Sequence, residues 1–202
     1  MNVQWLAAFI AFGFATAGTP GPNNLILASI AAAGGPRRAV PAIFGVSLGF
    51  AFMIAAAGLG LAGLFQRFPQ LADILKWLGS AWLLYLAFRI ATARPEAPGA
   101  ANDALNPREP PGFWQMAAFQ WINPKAWSMV LAMMGVYAGH NLGYRKDMLL
   151  MAALFAGIGT ITAASWALLG ALAGRLLGSS RVVWFNRLMA LLLVASIWLM
   201  WR

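Results

Sequence analysis

The side chains able to do chemistry are few, and two groups of them interrupt long apolar runs: Thr19-Pro20-Gly21-Pro22-Asn23-Asn24 and, about a hundred residues later, Asn123-Pro124-Lys125. A proline removes a helical donor and clashes with the preceding turn, so each group frees backbone polar atoms that lipid cannot satisfy. Such backbone is tolerated at membrane depth only where it is buried in protein or lines a cavity. A half-helix beginning near Asn23 would present orphan N–H groups and the positive end of its dipole, a ready seat for a carboxylate. Asn23 or Asn24 can cap that half-helix, leaving the other to hydrogen-bond a ligand. Lys125 is the only charged side chain deep within an apolar run. With no intramembrane acid to neutralise it, it must snorkel, lose its proton, bond freed carbonyls or meet an anionic ligand. The candidate substrate-binding set is therefore Pro20, Gly21, Pro22, Asn23, Asn24, Asn123, Pro124 and Lys125. Competing readings are structural: a packing kink at Pro20-Gly21-Pro22, backbone capping by Asn23 and Asn24, and a lysine that serves only the carbonyls freed by Pro124 or reaches an interface.

Other chemistries lack their parts. There is no cysteine, one histidine and five acids, which excludes disulfides and thiolate metal sites and leaves little for acid–base catalysis. A hydrolase inside the membrane would need a positioned base or metal set, and His140 stands alone in a polar linker. No enzyme activity, metal or cofactor is expected.

The elements that must position the two breaks are membrane helices. Of 202 residues 61% are hydrophobic and 9% charged, and the mean hydropathy is +0.72. This is the composition of a polytopic membrane protein, with the bilayer as its solvent. The net charge of +9 comes from basic residues set singly or in pairs at the ends of apolar runs. It reads as a topology signal and not as a nucleic-acid surface. Ala15-Thr16-Ala17 resembles a signal-peptidase site, but Met1-Asn2-Val3-Gln4 carries no basic side chain and the apolar sequence resumes at once after the break.

Six transmembrane helices are expected in an all-α membrane protein. The first, from Val3 to Ala33, would be about 46 Å long if straight, against about 30 Å of hydrocarbon. It is expected to break into halves from Val3 to Ala17 and from Asn23 to Ala33, closed by Gly34-Gly35-Pro36-Arg37-Arg38. The second runs from Ala39 to Phe65, with Gly45 and Gly49 as a close-packing pair, and the third from Leu71 to Ala93. A polar loop, 94–112, marks the midpoint of a single domain spanning 1–202. The fourth, from Phe113 to Ala138, is interrupted at Asn123. A linker from Gly139 to Lys146 precedes the fifth, Met148 to Ala173 with Gly170 and Gly174, and the sixth runs from Val182 to Trp201.

Three spans, a loop and three spans form a 3+3 inverted repeat, about 1–93 and about 113–202, with the first helix of each half broken or kinked. Asn23 to Ala33 covers about 16 Å and Phe113 to Ile122 about 15 Å from the same surface, so both breaks fall near the midplane. Paired breaks in corresponding places are the sequence sign of a transporter site. With the termini outside, eight basic residues fall on the inner side and five on the outer. That bias favours both termini periplasmic or extracellular. Trp5, Trp114, Tyr144, Trp184 and Trp201 read as interface anchors. A membrane scaffold or assembly subunit that transports nothing is the alternative, and it predicts breaks that tolerate mutation to Leu.

At these residues the chain resembles the LysE/RhtB family of bacterial amino-acid exporters. The likeness is carried by Thr19 to Asn24 with Gly35-Pro36-Arg37-Arg38 and Gly45/Gly49, by the stretch from Leu75 to Leu86, and by Asn123-Pro124-Lys125-Ala126. The first motif and final span are similar to those of the cysteine/O-acetylserine exporter branch. The resemblance implies a secondary transporter of the bacterial plasma (inner) membrane. It would expel amino acids or close derivatives, coupled to an ion gradient, with the proton as the expected ion. Many members of the family carry an acid directly after the second glycine of the second span, where this chain has Phe50. That departure points to neutral substrates.

Overall fold

The computed structural model describes residues 2–61, 63, 67–68, 70–92 and 109–200. Expectations for the end of the second span, most of the central polar loop, and Trp201 lie outside those residues. Every regular element among them is helical.

Helix α1 (Val3–Gly18) starts on Asn2, whose side-chain oxygen accepts from the N–H groups of Gln4 and Trp5. It stops at Thr19 because neither Pro20 nor Pro22 can supply a helical donor. Helix α2 (Pro22–Gly34) begins with proline at its first position, where the missing N–H costs nothing. The two helices meet at 59°. Gly35, at φ 84°, ends α2 and admits α3 (Pro36–Ala56) immediately. A left-handed residue at this joint suits glycine, which has no Cβ to clash. A wider turn, Ala57–Leu61, extends α3. Then follow α4 (Gln70–Ala91), α5 (Phe113–Ile122), α6 (Pro124–Val136) and α7 (Tyr144–Met200).

One boundary differs from the sequence expectation, and fewer stretches than six qualify as spans by length and composition. Among the described residues four stretches are long and apolar enough to cross a bilayer: Pro36–Leu61, Asp73–Ala91, Tyr144–Leu177 and Arg181–Trp198; counting the bent α1–α2 pair as one span gives five. The expected fourth span is divided at Asn123 into helices of 10 and 13 residues, each short of the roughly 20 that a span needs. The linker expected up to Lys146 is shorter, because α7 already starts at Tyr144 and its bonding continues through both final apolar stretches. No proline between Tyr144 and Met200 interrupts it. Both stretches feed one core cluster, through Ala163 and Ala167 on one side and Met189 and Leu193 on the other.

Small residues set the packing. A Cβ on Gly45 or Gly49 would run into Phe113 and Ala117 of α5, and one on Gly170 or Gly174 into the backbone of Ala28 and Ala32 of α2. Backbones thus approach closely where no hydrophobic effect drives helices together. Trp5 is not an interface anchor. It is buried, stacks on Phe9 at 5.5 Å, and donates from Nε1 to the Tyr137 carbonyl at 3.0 Å. Trp114, Tyr144 and Trp184 are exposed, as anchors require. The turn before α7 is tied by Asp147, fully buried, whose carboxylate accepts from the N–H groups of Gly139, Asn141 and Leu142. The Asn2 N–H donates to the Asn141 side chain at 2.9 Å, which sets the start of α1 beside that turn.

Candidate functional site

The break between α1 and α2 leaves carbonyls without helical partners, and side chains from the break itself and from three helices take them. Thr19 Oγ1 donates to the Thr16 carbonyl at 2.8 Å. The Asn24 amide donates to the carbonyls of Ala17 at 2.8 Å and Thr19 at 2.9 Å. Trp166 Nε1, from α7, donates to the Gly18 carbonyl at 3.1 Å. Lys125 Nζ, from α6, donates to the Thr19 carbonyl at 3.2 Å and to Thr19 Oγ1 at 2.8 Å. In lipid each unmet carbonyl costs several kcal/mol, and the carbonyls of Thr16, Ala17, Gly18 and Thr19 are each paired here.

At the second break Asn123 caps α6. Its side-chain oxygen accepts from the Lys125 N–H at 3.1 Å, a capping role that the sequence suggests only for Asn23 and Asn24. Neither Asn23 nor Asn24 caps α2, contrary to expectation: the helix starts one residue earlier, Gly21 holds the cap position, and no side chain caps it. The N-terminal amides of α2 therefore keep the anion-seeking character of an uncapped helix start. Asn23 instead forms a reciprocal amide pair with Gln120 of α5. Asn23 Nδ2 donates to Gln120 Oε1 at 2.9 Å, and Gln120 Nε2 returns a bond to Asn23 Oδ1 at 3.1 Å. Gln120 is fully buried and donates also to the Met116 carbonyl at 2.8 Å.

The two breaks thus meet. Gly21 is small because Lys125 lies against it: a Cβ there would sit 2.9 Å from Nζ and 3.0 Å from Cδ. A cavity of about 50 Å³ opens where they join, several times the roughly 10–15 Å³ that one water needs. Gly21, Pro22, Asn23, Asn24, Asn123 and Lys125 all line it. Pro20, exposed, and Pro124, at the start of α6, shape the backbone without lining the cavity. Lys125 is the only ionisable side chain in the lining. Among the described residues no cluster of His, Asp or Glu could hold a metal ion.

Sequence reasoning missed Gln120, Thr19 as the lysine's partner, Phe155, and the place of Phe50 in the cavity wall. Gln120 carried a signal, because a neutral amide inside an apolar run three residues before a break needs a partner there. Phe155 carried none, since apolar residues are the default in a span, and Phe50 drew notice only as the residue that stands where many members of the resembled family carry an acid.

Residues 14–200 match the family described as LysE type translocator. The chain is 33% identical over 171 residues, 84% of each protein, to the cysteine/O-acetylserine efflux protein of Salmonella typhi. It is 31% identical over 179 residues, 87% of each, to the protein of that name from Klebsiella pneumoniae subsp. pneumoniae. Its identity to that of Escherichia coli O6:K15:H31 is 32% over 177 residues, again 87% of each. No solved structure matches the chain. An apolar helical chain, with two helix breaks joined around one lysine and a family match over nearly its whole length, belongs to the LysE type translocators.

Proposed function

We propose that this protein is a secondary transporter that exports neutral amino acids or their derivatives across the bacterial plasma membrane. One observation carries the reading: Lys125 of the second break is bonded to Thr19 of the first, 2.8 Å from its hydroxyl, beside a cavity that both breaks line. The substrate carboxylate binds at the uncapped start of α2 and takes a bond from Lys125, which spends two of its three donors on Thr19. Pro20 and Pro124 hold the backbone open, Gly21 makes room for the lysine, and Asn24 and Asn123 keep the broken ends paired. Neutral substrates fit because the lining holds one cation and no acid.

The six-span, inverted-repeat architecture belongs to this proposal, with halves 1–93 and 113–202 rocking to alternate access. It is supported by the Asn2–Asn141 bond, which sets these two residues on one side. The α1–α2 pair, α3 and α4 make three crossings between them, so α5 and α6 together make the fourth. Basic-residue bias sets that side outside, with both termini. The coupling ion is the proton, and Lys125 is the carrier the cavity offers. Export as the direction follows the relatives, which are named efflux proteins.

Purified protein in vesicles loaded with alanine, serine or cysteine should release them faster than empty vesicles. An imposed pH gradient should change the rate, and a protonophore should remove that change. No release of any amino acid would refute transport. Release indifferent to the gradient would refute proton coupling alone.

A further inference from the structure

We infer that Phe50, Phe155 and Gly159 form the side-chain end of the site and restrict it to short, uncharged side chains; this rests on the transport reading above. The cavity has two kinds of wall. The breaks supply amides and one cation, whereas α3 and α7 supply Phe50 and Phe155, both 3% exposed, with ring centroids 4.6 Å apart. Ser47 and Thr162 also line the α3 and α7 side, but their hydroxyls donate back to the carbonyls of Ile43 at 2.8 Å and Ile158 at 2.9 Å. That wall therefore offers a ligand no free donor and no negative charge. A substrate whose carboxylate sits at the breaks must place its side chain against the aromatic pair.

A cationic side chain would lose its hydration there without a partner, which excludes lysine and arginine. Length is limited too. Gly159 borders the cavity, and a Cβ on it would lie 3.5 Å from Phe155 Cδ1 and 3.6 Å from Ser47, ordinary contact distances. Gly159→Ala is thus accepted by the protein and subtracts a methyl from the cavity.

The test is counterflow in proteoliposomes with alanine, serine, cysteine, leucine, methionine, phenylalanine and lysine, on the wild type and on Phe50→Ala, Phe155→Ala and Gly159→Ala. The wild type should carry the three short substrates and not lysine. Gly159→Ala should lower cysteine relative to alanine, and Phe155→Ala and Phe50→Ala should raise leucine and methionine relative to alanine, each by roughly tenfold. Should the alanine variants fail to fold, Phe50→Leu and Phe155→Leu carry the same test in the same direction. Unchanged substrate ratios in variants that still transport, or lysine carried as fast as alanine by the wild type, would overturn the assignment while leaving transport standing. A wild type that exchanges no amino acid would overturn the transport reading and this inference together.

Discussion

Lys125 and Gln120 both cross from one break to the other, and they do different work. Gln120 and Asn23 satisfy each other at 2.9 and 3.1 Å, so removing one partner leaves a buried amide unpaired. Gln120→Leu should destabilise the protein by about 1–3 kcal/mol, whereas the double variant Asn23→Leu/Gln120→Leu should recover most of that stability. Thermal melts in detergent would show it, and a double variant no better than the single would refute the pairing. Lys125 has no such amide counterpart. Gly21→Ala should displace it cheaply, because the added Cβ meets the far end of a flexible side chain. The melt should hardly change while export falls several-fold. A variant with unaltered export would show that the position of the lysine does not matter.

At the scale of elements, the breaks were the most legible part of the sequence. Proline and glycine act locally, so α1 and α2 end within a residue of their expected bounds, and α6 begins on Pro124. The start of α7 was not legible. Tyr144, Arg145 and Lys146 are polar enough to read as linker, yet Asp147 ties the preceding turn and lets the helix begin at Tyr144. Partners across the fold were equally hidden, because no local rule says that Gln120 meets Asn23 or that Trp5 turns inward to Tyr137. The glycine pairs were readable as packing surfaces, though not which helix each would face. Gly170→Leu should drive α7 off the Ala28 backbone and cost at least about 1–3 kcal/mol. Gly135→Leu, where nothing lies within 4 Å of the added Cβ, serves as its control. Equal melting temperatures for the two would refute the close α2–α7 contact.

For the whole molecule the proposal requires that the start of α1 and the turn before α7 face the same side, joined by the Asn2–Asn141 bond. The chain has no cysteine, so single substitutions report cleanly. Asn2→Cys and His140→Cys should both react with an impermeant maleimide added outside intact cells. Labelling of one and not the other would break the even count of crossings on which the inverted repeat rests. The central claim is that two breaks a hundred residues apart make one amino-acid site. Its most direct measurement is efflux from alanine-loaded vesicles by the wild type, Asn23→Ala and Lys125→Ala, each confirmed folded. Both variants should fall at least roughly tenfold below the wild type: Lys125→Ala removes a binding group of about 1.4 kcal/mol or more, and Asn23→Ala unpairs Gln120 at the start of α2 where the carboxylate sits. Wild-type rates in both would contradict the site.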